Sequence, residues 1–169
     1  NEFISSHSFA LKGPMGRSFR HYPDRGGRIT NSYQNIAQRR LPIRKQTLID
    51  GEQLVEPDFS ANHLRMAAYL MGESLPDDPY AHLTDQTGIS DRGMVKKVVT
   101  ECMGATDWRQ IGPLKGRFHK RYRGGSIGKF QAILTALQTE YPWTHEVFFS
   151  DVGAHLQYLE GEMALKMMS

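Results

Sequence analysis

The chain has 169 residues, 39% of them hydrophobic and 23% charged, with a formal charge of +3; these are the proportions of an ordinary globular protein, long enough for one apolar core or for part of a larger one. No stretch approaches the run of about 18 apolar residues that a membrane span needs, and a single cysteine, Cys102, excludes a disulfide framework. With no charged, apolar and small-residue leader ahead of the body of the chain, the expected setting is reducing and cytoplasmic, with no membrane partner.

The first thirty residues are rich in Gly, Pro, Ser and Arg without periodicity, and read as loop and irregular segment. Arg17, Arg20, Arg25, Arg28, Arg39, Arg40, Arg44 and Lys45 make a first basic cluster, suited to a polyanion or, equally, to solvated loops. Thr47-Leu48-Ile49 and Leu54-Val55 flank Asp50-Gly51, a dipeptide that accepts positive φ, which predicts a short β-hairpin. Asn62 to Met71 is apolar nearly all round, so a helix is expected there that is buried inside something larger, ended by Gly72.

A second helix is predicted over Pro79 to Gln86 with Gly88 as its stop. A third opens at Ser90, with Val95, Val98, Val99 and Cys102 on one face and Arg92 and Lys96, four apart, projecting together from another. From Trp108 to Gly128 a second basic cluster (Lys115, Arg117, Lys120, Arg121, Arg123) is mixed with glycines and reads as a mobile, phosphate-binding loop. Ile127, Phe130, Ile133, Leu134 and Leu137 then take helical spacing up to Tyr141-Pro142, and Val152, Leu156, Leu159, Met163 and Met167 mark a long final helix. The histidines (His7, His21, His63, His82, His119, His145, His155) lack metal-ligand spacing, and no Ser/His/Asp or Cys/His arrangement stands out.

The sharpest stretch is Gly27 to Gly72: Gly-Arg-Ile-Thr, then Gln34-Asn35-Ile36, then the hairpin, then Asp58-Phe59-Ser60, with Arg65 seven residues after the aspartate. In order, spacing and residue type it resembles the family A DNA polymerases. There a Gly-Arg-Leu-Ser/Thr segment leads to Gln-Asn-Ile, and a strand delivers Asp-Tyr-Ser-x-x-Glu-Leu-Arg ahead of a buried helix. An aspartate fixed at the end of a strand can hold Mg²⁺ against triphosphate oxygens, which makes Asp58 the candidate catalytic metal ligand; an Asp in this place also suits the plain task of capping the next helix.

The resemblance implies more. Arg28, Gln34 and Asn35 would contact primer-template DNA in the minor groove. Arg92 and Lys96 would bind the triphosphate of an incoming deoxynucleotide, Lys96 also protonating the leaving pyrophosphate; as residues alone they could be a solvated helix face. His63 and Met103 would line the nucleotide pocket, and Leu156-Gln157 with Glu162 resembles the family's last helix, where Gln157 would touch the nucleic-acid backbone. Arg65 is expected to be a buried partner of a carboxylate.

The implied fold is α+β and predominantly helical: a partial polymerase palm, with a short antiparallel hairpin or sheet, carrying helical fingers. Residues 1–45 would be an irregular basic segment leading into the palm, 46–76 the palm hairpin and its helix, 77–140 fingers-like helices with a basic Gly-rich loop, and 141–169 a long C-terminal helix. The sequence departs from the family at His63, where a Glu is usual, at Pro57 before the aspartate, at Thr100 where a Phe is usual, and at Met103-Gly104, where Tyr-Gly is usual and one residue further from Lys96. These departures point to a divergent phage or prophage branch. The family's final His-Asp motif is missing, so a piece of a longer nucleotidyltransferase is expected, inactive alone; a polymerase-like domain that grips nucleic acid without chemistry is the alternative, and an unrelated helical domain with accidental matches is the third reading.

Overall fold

The computed structural model describes residues 16–30, 48–53, 59–123 and 126–168. The order is β1 (Gly16–Phe19), β2 (Gly26–Thr30), β3 (Leu48–Ile49), β4 (Glu52–Gln53), α1 (Asn62–Leu70), α2 (Pro79–Thr87), α3 (Arg92–Met103), a 3₁₀ turn (Trp108–Gln110), α4 (Ile111–Tyr122), α5 (Ser126–Glu140), α6 (Thr144–Val147) and α7 (Val152–Met168). The protein is therefore predominantly helical with small antiparallel pairs of strands.

The β3–β4 hairpin forms where expected, with Leu48 opposite Gln53 and positive φ at both turn residues, Asp50 (52°) and Gly51 (87°), the twist that matches paired strands. The β1–β2 hairpin is a correction to the reading of the first thirty residues as irregular. Its strands pair antiparallel with Arg17 opposite Ile29, and Arg25 N–H donates to the Tyr22 carbonyl in the turn. Four- and five-residue strands rich in Gly and Arg show no alternation because the pair is held from outside: β2 packs on α7.

Helix α5 is the centre of the core. Phe130, Ile133, Leu134 and Leu137 are buried on it, and α2, α3, α4 and α6 pack around it. Each such side chain contributes roughly 1.5–3 kcal/mol by leaving water. Helix α3 adds Val95, Val98, Val99 and Cys102, and burial pushes the Cys102 thiol up to about 12, so it stays protonated. The helix starts one residue later than expected: Asp91, not Ser90, is the cap, its carboxylate accepting from Met94 N–H at 3.0 Å.

Two further expectations are corrected. Residues 111–122 form helix α4, where a mobile loop was expected. Gly112 and Gly116 cost about 1 kcal/mol each in a helix, yet both lie exposed on it, while Leu114 and Phe118, four apart, are buried and supply the apolar stripe that decides the outcome. Helix α1 buries one face only: Leu64, Ala67 and Ala68 are inside, whereas Tyr69 is 82% exposed.

Helix α7 lies against both ends of the fold through glycines. A Cβ on Gly153 would sit 3.1 Å from the Met103 carbonyl oxygen, and one on Gly161 would fall onto the Gly27 carbonyl. Gly161→Ala should therefore lower stability by about 1–3 kcal/mol, whereas Gly116→Ala, with open space around it, should raise it by about 0.5–1 kcal/mol. Urea unfolding midpoints compare the two; equal shifts would mean that the α7–β2 contact is looser than it looks.

Candidate functional site

The start of α1, one face of α3, the first half of α7 and the β1–β2 hairpin enclose a cleft of about 440 Å³. Arg92, Lys96 and Thr100 repeat every four residues along the α3 wall, with buried Met103 below them. Gly153, Ala154, Gln157 and Glu160 form the α7 wall, Phe59 to His63 the α1 side, and Arg20 and Arg28 the hairpin side. The residues picked from sequence thus meet: Arg28, His63, Arg92, Lys96, Met103 and Gln157 all line this one space. Asp58, Gln34 and Asn35 lie outside the described residues, although Phe59 and Ser60, just after Asp58, line the cleft.

The wall between α3 and α7 is fixed by backbone hydrogen bonds. Phe149 N–H donates to the Cys102 carbonyl at 3.1 Å and Asp151 N–H to the Ala105 carbonyl at 2.9 Å, so the chain entering α7 is stitched to the end of α3. Arg20 reaches Asp151 at 3.6 Å. On the α1 side, Ala61 occupies the cap position in left-handed backbone (φ 54°).

Besides Asp151, two carboxylates partner the cations of the cleft. Asp78 caps α2, accepting from Tyr80 N–H and Ala81 N–H at 3.0 Å each. The same group receives Arg92 in a two-pronged bond, Nε to Oδ2 at 2.8 Å and Nη2 to Oδ1 at 3.1 Å. The guanidinium also lies over the Tyr80 ring, 5.2 Å from its centre. The Arg92 hydrogen bonds hold the Asp78 carboxyl below its ordinary range, against a smaller upward push from burial. Lys96 is exposed and has no ion-pair partner among the described residues.

Glu160 is the second. It accepts from Asn62 Nδ2 at 3.1 Å, meets His63 Nε2 at 3.2 Å and lies 3.4 Å from Arg28 Nε. The His63 bond, more than the neighbouring Arg28 charge, holds its carboxyl below the ordinary value. Among the described residues lining the cleft Glu160 is the only carboxylate, and its oxygens are taken by these three donors. These residues alone therefore do not fit a Mg²⁺ site, and no group of three potential metal ligands occurs among the described residues.

Arg65 has partners other than the expected carboxylate: it donates to the backbone carbonyls of Ser60 (3.0 Å), Pro76 (2.9 Å) and Asp77 (2.6 Å), tying the loop before α2 to the start of α1. Glu162 is drawn away from the cleft by Arg17, at 2.6 Å. Sequence reasoning missed Glu160 and Asp78. Periodicity could have found the first, since Gly153, Gln157 and Glu160 share one helical face; the second carries the signature of a cap before a first-turn proline, but nothing local pairs it with Arg92.

Comparison with known protein families, with curated proteins and with solved structures finds no match. Among the described residues no helix is long and apolar enough to cross a membrane.

Replacing Glu160 with Gln should cost about 1–2 kcal/mol at neutral pH, the worth of charge-assisted hydrogen bonds to a group largely out of water. A folded carboxyl held below its ordinary 4.5 stabilises above that value and loses its contribution as pH falls through the lower folded value. The stability gap between wild type and Glu160→Gln should accordingly close in acid. A gap that stays constant down to about pH 3 in denaturant titrations would show that the charge of Glu160 plays no part.

Proposed function

We propose that this cleft binds the triphosphate of a nucleotide beside nucleic acid, as in a template-directed DNA polymerase of the family A type, in a divergent phage or prophage form. Arg92 and Lys96 would take the phosphates, Met103 and His63 would border base and sugar, and Arg28 and Gln157 would contact the primer-template. The observation that supports this reading is the convergence of these six residues. They are spread over 130 positions of sequence, from 28 to 157, and they border one space.

The physical case rests on charge. Cationic side chains one turn apart on α3 stand on the same face of the helix, so both can reach one triphosphate tail, and each charge-assisted bond to phosphate is worth about 1.5–3 kcal/mol. Binding and orientation are what the described residues can supply. Transfer to a primer 3′-OH would need a divalent ion, and Asp58 is the residue the resemblance offers to hold it.

The alternative reading, a polymerase-like domain that grips nucleic acid without chemistry, has its own support. Arg92 is matched by Asp78, and the histidine standing where the family has a Glu is matched by Glu160. Steeply salt-dependent DNA affinity without nucleotide incorporation by the full-length protein would select it.

Calorimetric titration with a deoxynucleoside triphosphate tests the main reading. Arg92→Ala and Lys96→Ala should each weaken binding by about 10- to 100-fold, from the bond strengths above. Asp78→Asn should strengthen it, by up to about fivefold, because an exposed ion pair of this kind contributes no more than about 1 kcal/mol and Asn still caps the helix. Binding that is indifferent to both Arg92 and Lys96 would refute the proposal.

A further inference from the structure

The cleft changes character along its length. Its cations, Arg92 and Lys96 on α3 and Arg20 and Arg28 on the hairpin, belong to two of its walls. Toward the start of α1 it runs into a second cavity of about 400 Å³. The two share Arg28, Phe59, Asn62 and Glu160, so one continues into the other. Beyond those four, the second cavity is lined without charge, by Ile29 of β2 and by Gly161, Met163, Ala164 and Met167 of α7. This apolar lining is open to solvent: Met163 is 51% and Met167 77% exposed.

Phe59 stands at the junction and is 65% exposed. A ring left this open contributes little to the fold, and among the described residues no other ring and no cation packs on its face. The other phenyl-type ring of the cleft, that of Tyr80, is buried and lies under the Arg92 guanidinium. The α3 wall offers no ring at all, and its Met103 is buried. The backbone beside Phe59 is held on its far side, where Arg65 donates to the Ser60 carbonyl at 3.0 Å and Ala61 turns the chain into α1 in left-handed backbone. Phe59 is thus an open aromatic face next to fixed backbone, between a cationic space and an apolar one.

We propose that Phe59 is the platform on which the base of the bound nucleotide stacks, with the triphosphate on Arg92 and Lys96, an assignment that rests on the reading of the cleft as a nucleotide site. A nucleotide is divided as the trough is, into a tail of several charges and a flat base with two π faces. The cations alone would accept any polyphosphate; an aromatic face selects one that carries a base. Stacking on an aromatic ring tolerates every base, because each has a π face, which suits a site that takes different nucleotides in turn. Held backbone beside the ring lowers the ordering cost of binding.

Calorimetric titration with a deoxynucleoside triphosphate and, separately, with inorganic tripolyphosphate tests the assignment. Phe59→Ala should weaken the nucleotide by about 5- to 150-fold, the range for loss of one base–aromatic stack, and leave tripolyphosphate binding unchanged. Phe59→Trp should keep the nucleotide affinity, whereas Phe59→Leu, which retains apolar area without a ring, should not. Arg92→Ala should weaken both ligands, so failure of the cleft reading has its own mark: nucleotide and tripolyphosphate would both be indifferent to Arg92 and Lys96. With those two cations confirmed, three results would each overturn the role of Phe59. They are unchanged nucleotide affinity in Phe59→Ala, full affinity in Phe59→Leu, and equal losses for the two ligands in a Phe59→Ala protein whose urea midpoint is that of the wild type.

Discussion

Helix α7 can lie where it does because two of its residues have no side chain. Gly153 lets its first turn touch the end of α3, and Gly161, eight residues on, lets the Gly27 carbonyl of β2 come against its backbone. Packing at this distance leaves no room to relax. Everything that α7 contributes follows from it: Gln157 and Glu160 sit between the two contacts, so their positions relative to α3 and the hairpin are set by backbone rather than by flexible side chains. Arg17 reinforces the far contact by bonding both the Gly27 carbonyl and Glu162.

The cleft so formed is rich in cations, yet it is not a bare positive surface. Arg92 and His63 each have a carboxylate of the protein's own, and the two pairs differ in kind. The Arg92–Asp78 pair is exposed, with both side chains about two-fifths open to water, so solvent and salt screen it and it is given up easily. Its two-pronged geometry is the one a guanidinium also offers phosphate, and a ligand bringing several charges can outcompete a single carboxylate. Glu160 is different. Only 27% of its side chain is exposed, and three donors converge on it, so removing it leaves Asn62, His63 and Arg28 without their acceptor. Asp78 is placed to exchange, Glu160 to stay.

Legibility in the sequence followed the range of the forces involved. The Gly-stopped helix α2, the Asp50-Gly51 turn and the core faces of α3 and α5 are local matters, and they were readable. Arg28, His63, Arg92, Lys96, Met103 and Gln157 were readable as candidates because an ordered set of motifs carried them. What failed depended on distant partners: β1 and β2 exist by resting on α7, and α4 overrode two glycines because Leu114 and Phe118 found α3 and α5. The partners of Arg65 are backbone carbonyls, which have no sequence signature at all. Asp58, Gln34 and Asn35 lie outside the described residues, so the carboxylate at the heart of the polymerase resemblance rests on sequence.

Helix α3 joins these observations. Successive residues on a helix are turned by about 100° from one another, so a helix wedged between layers can show a different chemistry to each. Val95, Val98, Val99 and Cys102 face the core. Arg92, Lys96 and Thr100 face the cleft, while Lys97 and Glu101 face α4 across a groove. Lys96 and Lys97, adjacent in sequence, therefore belong to separate surfaces with one helix as their common wall. Glu101 marks the asymmetry between them: burial pushes its carboxyl up, and hydrogen bonds from Lys97 and Arg117 outweigh that push to leave it lowered. That carboxylate anchors α4 to α3 and commits two of the groove's cations to structure, leaving Lys120 and Arg121, among the described residues that line it, as the charges without an acid.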